Sequence, residues 1–103
     1  MTVLVTGGGG FVGTEVCRQL TASGVGVRSF ARSHYPVLDA MGVEQVQADL
    51  ADPTAVRAAA AGCEAVFHVA ARAEMAGPAD LFHRVNVVGT RNVIAACRAQ
   101  GIS

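Results

Sequence analysis

Apolar and polar positions follow two rhythms along this chain, and the switches between them lay out its elements. Val3-Leu4-Val5 is a short apolar run suited to a strand buried on both faces, so Thr2–Thr6 is predicted as the first strand. Val12, Val16 and Leu20 recur at helical spacing and predict a helix over Gly10–Ser23, with Gly24 as its stop. A second strand is predicted over Val25–Phe30. A short helix or turn follows over Tyr35–Met41, with Pro36 in its first turn. Glu44–Ala48 is the third predicted strand. Asp52 and Pro53 open a helix as N-cap and first helical residue; it runs through Ala55–Ala61 and stops at Gly62. Glu64–Ala70 is the fourth predicted strand. After a looser segment, Ala71–Gly77, a long helix is predicted from Pro78 to about Gln100, stopped by Gly101. Leu81, Val85 and Val88 mark one apolar row of that helix, and Phe82, Gly89, Val93 and Ala96 another. That breadth implies burial on more than one side.

Strand and helix alternate throughout. The expected fold is α/β: a Rossmann-type parallel sheet in strand order 3-2-1-4, flanked by helices on both faces. No repeat, linker or low-complexity tract divides the 103 residues, so residues 1–103 are expected to form one nucleotide-binding domain. The chain stops where a fifth strand is expected, which would leave the fourth strand as an open edge. The expectation is therefore the front part of a longer enzyme.

Composition adds exclusions. The chain is 51% hydrophobic and 16% charged, which is far from a disordered composition. Its formal net charge is zero, so nothing electrostatic argues for nucleic acid or an anionic membrane. Cys17, Cys63 and Cys97 are an odd count without C-x-x-C spacing, read as small buried hydrophobes in a reducing compartment. No set of metal ligands is picked out. The N-terminus lacks a basic leader region, and no apolar stretch approaches the roughly 20 residues of a membrane span. The expected location is the cytoplasm, and a homodimer is compatible with this reading.

Between the first strand and first helix lies Thr6-Gly7-Gly8-Gly9-Gly10-Phe11-Val12-Gly13. Gly8, Gly10 and Gly13 fit G-x-G-x-x-G; Gly7, Gly10 and Gly13 fit G-x-x-G-x-x-G. Glycines let the backbone turn tightly and let phosphate oxygens approach its N–H groups, and the helix N-terminus adds positive potential. A dinucleotide pyrophosphate over Gly8–Val12 is the expectation. Proteins of this kind that prefer NAD(H) place an acid about 20 residues past the glycines. No Asp or Glu occurs here between Glu15 and Asp39; Arg32 stands 19 residues after Gly13, with Ser33 beside it. An arginine fork suits a 2′-phosphate that a carboxylate would repel, so NADP(H) is favoured over NAD(H).

Four elements in order now carry a resemblance: Thr6–Gly13 as T-G-x-x-G-F-x-G, Asp49-Leu50, His68-Val69-Ala70-Ala71 and Asn86-Val87-Val88-Gly89-Thr90. Together they resemble the extended short-chain dehydrogenase/reductase superfamily, of the NAD-dependent epimerase/dehydratase and 3β-hydroxysteroid dehydrogenase type. Arg32-Ser33-His34-Tyr35-Pro36 with Met41-Gly42-Val43 looks closest to the β-ketoacid reductases of bacterial long-chain olefin biosynthesis.

The resemblance implies that Asp49 accepts from the adenine amino group while the Leu50 backbone donates to the ring. Capping a turn is the alternative role for Asp49. The backbone of His68, Val69, Ala70 and Ala71 is implied to line the ribose and nicotinamide. His68 itself fits a packed, hydrogen-bonded histidine better than a catalyst. Asn86 is implied either to bond backbone or to help hold a water near a catalytic lysine. Thr90 is expected to bond back to its own helix, and His83 and Arg84 to lie at the surface.

The family's Tyr-x-x-x-Lys pair has no counterpart: the sequence holds one tyrosine, Tyr35, and no lysine. Tyr35 follows the second strand, on the adenine side. The expected function is thus the cofactor-binding portion of an oxidoreductase that reduces a ketone or oxidises a secondary alcohol, a 3-oxo/3-hydroxy acid or a steroid-like compound. The alternatives are a nucleotide-sugar epimerase/dehydratase and a non-catalytic NADP(H)-sensing module. The 103-residue chain by itself is expected to be inactive.

Overall fold

The computed structural model describes residues 1–7, 9–69 and 89–101. The elements are β1 (Thr2–Thr6), α1 (Phe11–Ala22), β2 (Gly26–Ala31), α2 (Pro36–Ala40), β3 (Glu44–Gln47), α3 (Pro53–Ala60), β4 (Ala65–His68) and α4 (Gly89–Ala99). The predicted start of the last helix at Pro78, with its apolar row Leu81, Val85 and Val88, lies outside the described residues, as do His83, Arg84 and the Thr90 side chain.

The four strands form one sheet in the order β3-β2-β1-β4, and every pairing is parallel. That is the expected order. β1 shows why. Val3 and Val5 point to one face and Leu4 to the other, and all three are buried. A strand apolar on both sides belongs in the middle of a sheet with helices on each face. Val3, Val5 and Val27 pack with Cys17 of α1 and Leu38 of α2. Leu4 and Phe30 pack on the opposite side with Val56, Ala59 and Ala60 of α3 and Val93 and Ala96 of α4. Burying a side chain the size of Leu4 or Phe30 contributes roughly 1.5–3 kcal/mol.

The boundaries shift by a residue or two, for identifiable reasons. β2 begins at Gly26 because Val25 still belongs to the end of α1: its N–H donates to Leu20 O at 3.1 Å, and the Gly24 N–H to Thr21 O at 3.0 Å. This double bond needs a left-handed residue, and Gly24 supplies it with φ 83°. β2 extends through Ala31, whose carbonyl accepts from Ala48 N at 2.9 Å. α3 starts as expected. The Asp52 carboxylate accepts from Thr54 N and Ala55 N at 3.1 and 3.2 Å, with Pro53 in the first turn.

Arg28 was not singled out by its sequence context, yet it ties β2 to α3. Its Nη1 donates to Ala59 O at 2.6 Å and Ala61 O at 2.8 Å, and its Nε to Glu44 Oε2 at 2.9 Å. It therefore satisfies carbonyls left over at the C-terminal end of a helix.

Cys17, Cys63 and Cys97 are free thiols. Burial raises the pKa of Cys17 and Cys63, which suits packed rather than reactive cysteines. Among the described residues no helix is long and apolar enough to cross a membrane.

Candidate functional site

A groove of about 510 Å³ opens at the C-terminal ends of the strands. It lies where β1 has neighbours on both sides and the connections leave for opposite faces, the position at which open parallel sheets take ligands. Its size falls within the roughly 300–1,000 Å³ of small-molecule sites. Gly7, Gly10, Phe11, Val12 and Gly13 line one wall; Phe30, Ala31, Arg32, Tyr35, Ala48, Asp49, Leu50 and Val69 complete it.

The glycine wall forms because β1 must turn straight into α1. Gly7 adopts φ 77°, which an L side chain resists, and its N–H donates to Phe30 O at 2.9 Å. Gly10 N donates to Gly7 O at 3.1 Å, closing the turn. Gly10 is also the N-cap of α1 and offers no side-chain acceptor, and the first turn carries no acidic residue. The first helical hydrogen bond runs from Thr14 N to Gly10 O at 2.8 Å. The N–H groups of Phe11, Val12 and Gly13 precede it and have no intrahelical acceptor. The positive end of α1 thus faces the groove without a carboxylate of its own. A Cβ built at Gly10 would meet only Gly7 O, at 3.5 Å, so the protein itself leaves space there.

The far wall is set by the β3–α3 loop. Asp49 Oδ1 accepts from Ala51 N at 2.9 Å, and Asp49 O from Asp52 N at 2.9 Å. Asp49 therefore caps a turn while also lining the groove. The Leu50 side chain is buried against α3 and α4, and its carbonyl accepts from Asn92 Nδ2 at 2.7 Å. Asn92 escaped sequence reasoning. Its signal was a polar residue beside Val93 and Ala96, on the buried flank of an otherwise apolar helix.

Arg32 is exposed at the groove rim and makes no hydrogen bond or ion pair with the described residues. Ser33 is exposed too, but does not line the groove. His68 turns away: its Nδ1 lies 2.7 Å from Thr6 Oγ1, below the groove, and burial pushes its pKa down. That agrees with a packed, hydrogen-bonded histidine. Val69 does line the groove. Gly8, Ala70, Ala71 and Asn86 lie outside the described residues. Phe30, Ala31, Tyr35 and Ala48 are wall residues that the motifs did not pick out. No cluster of metal-ligating side chains occurs among the described residues.

A parallel sheet in this order, with a glycine turn and an uncapped helix at its switch point, defines a Rossmann-type protein, and similarity to solved structures places it in the short-chain dehydrogenase/reductase superfamily. Within it, the chain belongs to the 3-beta hydroxysteroid dehydrogenase/isomerase family, whose model matches residues 4–103. It is 58% identical over 102 residues to the 2-alkyl-3-oxoalkanoate reductase of Stenotrophomonas maltophilia, covering 99% of this chain and 31% of that protein. The 2-alkyl-3-oxoalkanoate reductase of Shewanella oneidensis is 48% identical over 99 residues, covering 96% of this chain and 26% of its own. Among solved structures, a short-chain dehydrogenase/reductase superfamily protein from Agrobacterium tumefaciens with bound NAD superposes with TM-score 0.84. It is 36% identical and covers 99% of this chain and 30% of its own. The chain thus spans about a third or less of the length of these relatives.

Proposed function

We propose that this chain is the cofactor-binding portion of an NADP(H)-dependent oxidoreductase that interconverts a ketone and a secondary alcohol on a 3-oxo/3-hydroxy acid. The observation that carries the proposal is an α1 N-terminus without a side-chain cap together with Arg32, a cation with no partner among the described residues, on the rim of one groove. The first suits a pyrophosphate and the second a 2′-phosphate. The relatives named 2-alkyl-3-oxoalkanoate reductase support the substrate class. The free thiols support a cytoplasmic, reducing location.

In this reading Gly7–Gly13 hold the pyrophosphate through backbone N–H groups, and Arg32 with Ser33 faces the adenosine phosphate. Asp49 and Leu50 bracket the adenine, and the segment from His68 to Ala71 backs the ribose and nicotinamide. The bound cofactor would supply or accept the hydride; these residues orient it and exclude side chains from its path. Asn86 is the one proposed relay residue. The proton-transfer pair is no part of these 103 residues. Titration of wild type and Arg32→Ala with NADPH and NADH tests the proposal. NADPH affinity should fall about ten- to a hundredfold in the variant with NADH little changed. Equal losses for both would refute the NADP(H) assignment.

A further inference from the structure

Tyr35 sits where two loops of the groove meet. A Cβ built at Gly9 would overlap its ring, so this glycine is required by the close approach of an aromatic side chain. Neither motif register uses Gly9. Its neighbours Gly7 and Gly10 line the groove, as does Tyr35 itself. The glycine turn and the β2–α2 loop, which carries Arg32, therefore meet where the Tyr35 ring lies against Gly9.

That point is held from a third element. Gln45 of β3 points to the α2 side of the sheet, and its amide grips both backbone polar groups of Tyr35. Oε1 accepts from Tyr35 N at 2.9 Å, and Nε2 donates to Tyr35 O at 2.9 Å. Nε2 also donates to Asp39 Oδ1 at 2.9 Å, while Asp39 Oδ2 lies 2.6 Å from His34 Nε2. These bonds hold the Asp39 carboxyl below its ordinary pKa, His34 being the larger cause and Gln45 the next. Gln45 thus extends the edge of the sheet by one false ladder pair, and Tyr35 stays extended at φ −121°, ψ 113° ahead of α2.

We infer that Gln45, which does not line the groove, is a positioning residue for its adenosine end: it holds Tyr35 against Gly9 and so fixes Arg32 relative to the glycine turn. The inference rests on the dinucleotide reading above. Without the fork, Tyr35 keeps its ring packing and the Leu38 N–H on its carbonyl at 3.0 Å but loses its tie to β3, and Arg32 is held less closely over the groove. A carboxylate at position 45 could still accept from Tyr35 N. It could not donate to Tyr35 O, and it would face Asp39 with like charge.

The probes are NADPH, 2′,5′-ADP and reduced nicotinamide mononucleotide, titrated into wild type, Gln45→Leu and Gln45→Glu. Binding of NADPH by wild type tests the dinucleotide reading separately. Given that binding, Gln45→Leu should weaken NADPH and 2′,5′-ADP about five- to tenfold, with the mononucleotide unchanged and Gln45→Glu at least as impaired as Gln45→Leu. Tyr35 is the only tyrosine and the chain has no tryptophan, so its intrinsic fluorescence reports this ring alone. In Gln45→Leu, acrylamide should quench it more readily below the cooperative melting transition. A second arm does not depend on Gln45. Gly9→Ala should weaken 2′,5′-ADP in the native background and have little further effect in Tyr35→Ser. Undiminished 2′,5′-ADP binding by folded Gln45→Leu, or an equal Gly9→Ala penalty in both backgrounds, would overturn the inference.

Discussion

Two helices of this protein begin in opposite ways. α3 carries its own anion: Asp52 accepts from the N–H groups of Thr54 and Ala55. α1 carries none, and its N-cap is a glycine opening on the groove. Two arginines of the same stretch divide in the same way. Arg28 has a side chain only 20% exposed and is bound to Glu44 and two carbonyls of the α3 terminus. Arg32, at the other end of β2, is exposed and bound to none of the described residues. At one end of the sheet Arg28 has its acceptors within the protein. At the other, donors are held ready by a rigid frame. That asymmetry separates groups that stabilise the fold from groups left for a ligand.

The largest test removes the open end. Gly10→Val should abolish detectable NADPH and NADH binding by isothermal titration, because its side chain occupies the space over the glycine turn. Its circular dichroism should remain native, since a Cβ there meets only Gly7 O at 3.5 Å. Retained affinity would break the comparison at its centre.

Arg28→Met attacks the opposite end. It leaves two carbonyls and Glu44 without their donor, and should cost about 2–4 kcal/mol in urea unfolding. Arg32→Ala should leave the unfolding midpoint within about 0.5 kcal/mol of wild type while changing cofactor selectivity, as described above. A variant of Arg32 that destabilised as much as Arg28→Met would erase the distinction. Asp52→Ala, which uncaps α3, should cost about 1 kcal/mol without altering NADPH affinity.

The smallest expected effect is one of pH. Burial holds the His68 pKa below its ordinary 6.5. As pH falls through 6.5 the unfolded chain takes up this proton before the folded one does, so stability is lost towards the folded value and is flat above 6.5. His68→Gln should flatten that portion of the urea-midpoint profile. An unchanged profile would mean that the histidine contributes nothing to the pH dependence.

The sheet order and most elements were legible in the sequence, since a strand buried on both faces and a helix buried on one carry different periods. Asp52-Pro53 marked a helix start because the capping chemistry is local. Gly7, Gly10 and Gly13 were legible as a turn for the same reason. Gly9 was not: what forbids its Cβ is Tyr35, 26 residues further on. Gln45, Arg28 and Asn92 escaped for that reason too. Each bonds a backbone group that is distant in sequence, and no local spacing predicts such a meeting. Asp49 shows both sides: its side chain closes a turn that sequence suggests, and its place in the groove depends on how β3 and α3 pack. The sequence by itself determined the periods, the caps and the glycine turn, because those are short-range preferences of the backbone. Only the tertiary structure decided which arginine was bound and which was left open, because that depends on acceptors that the fold alone brings within reach.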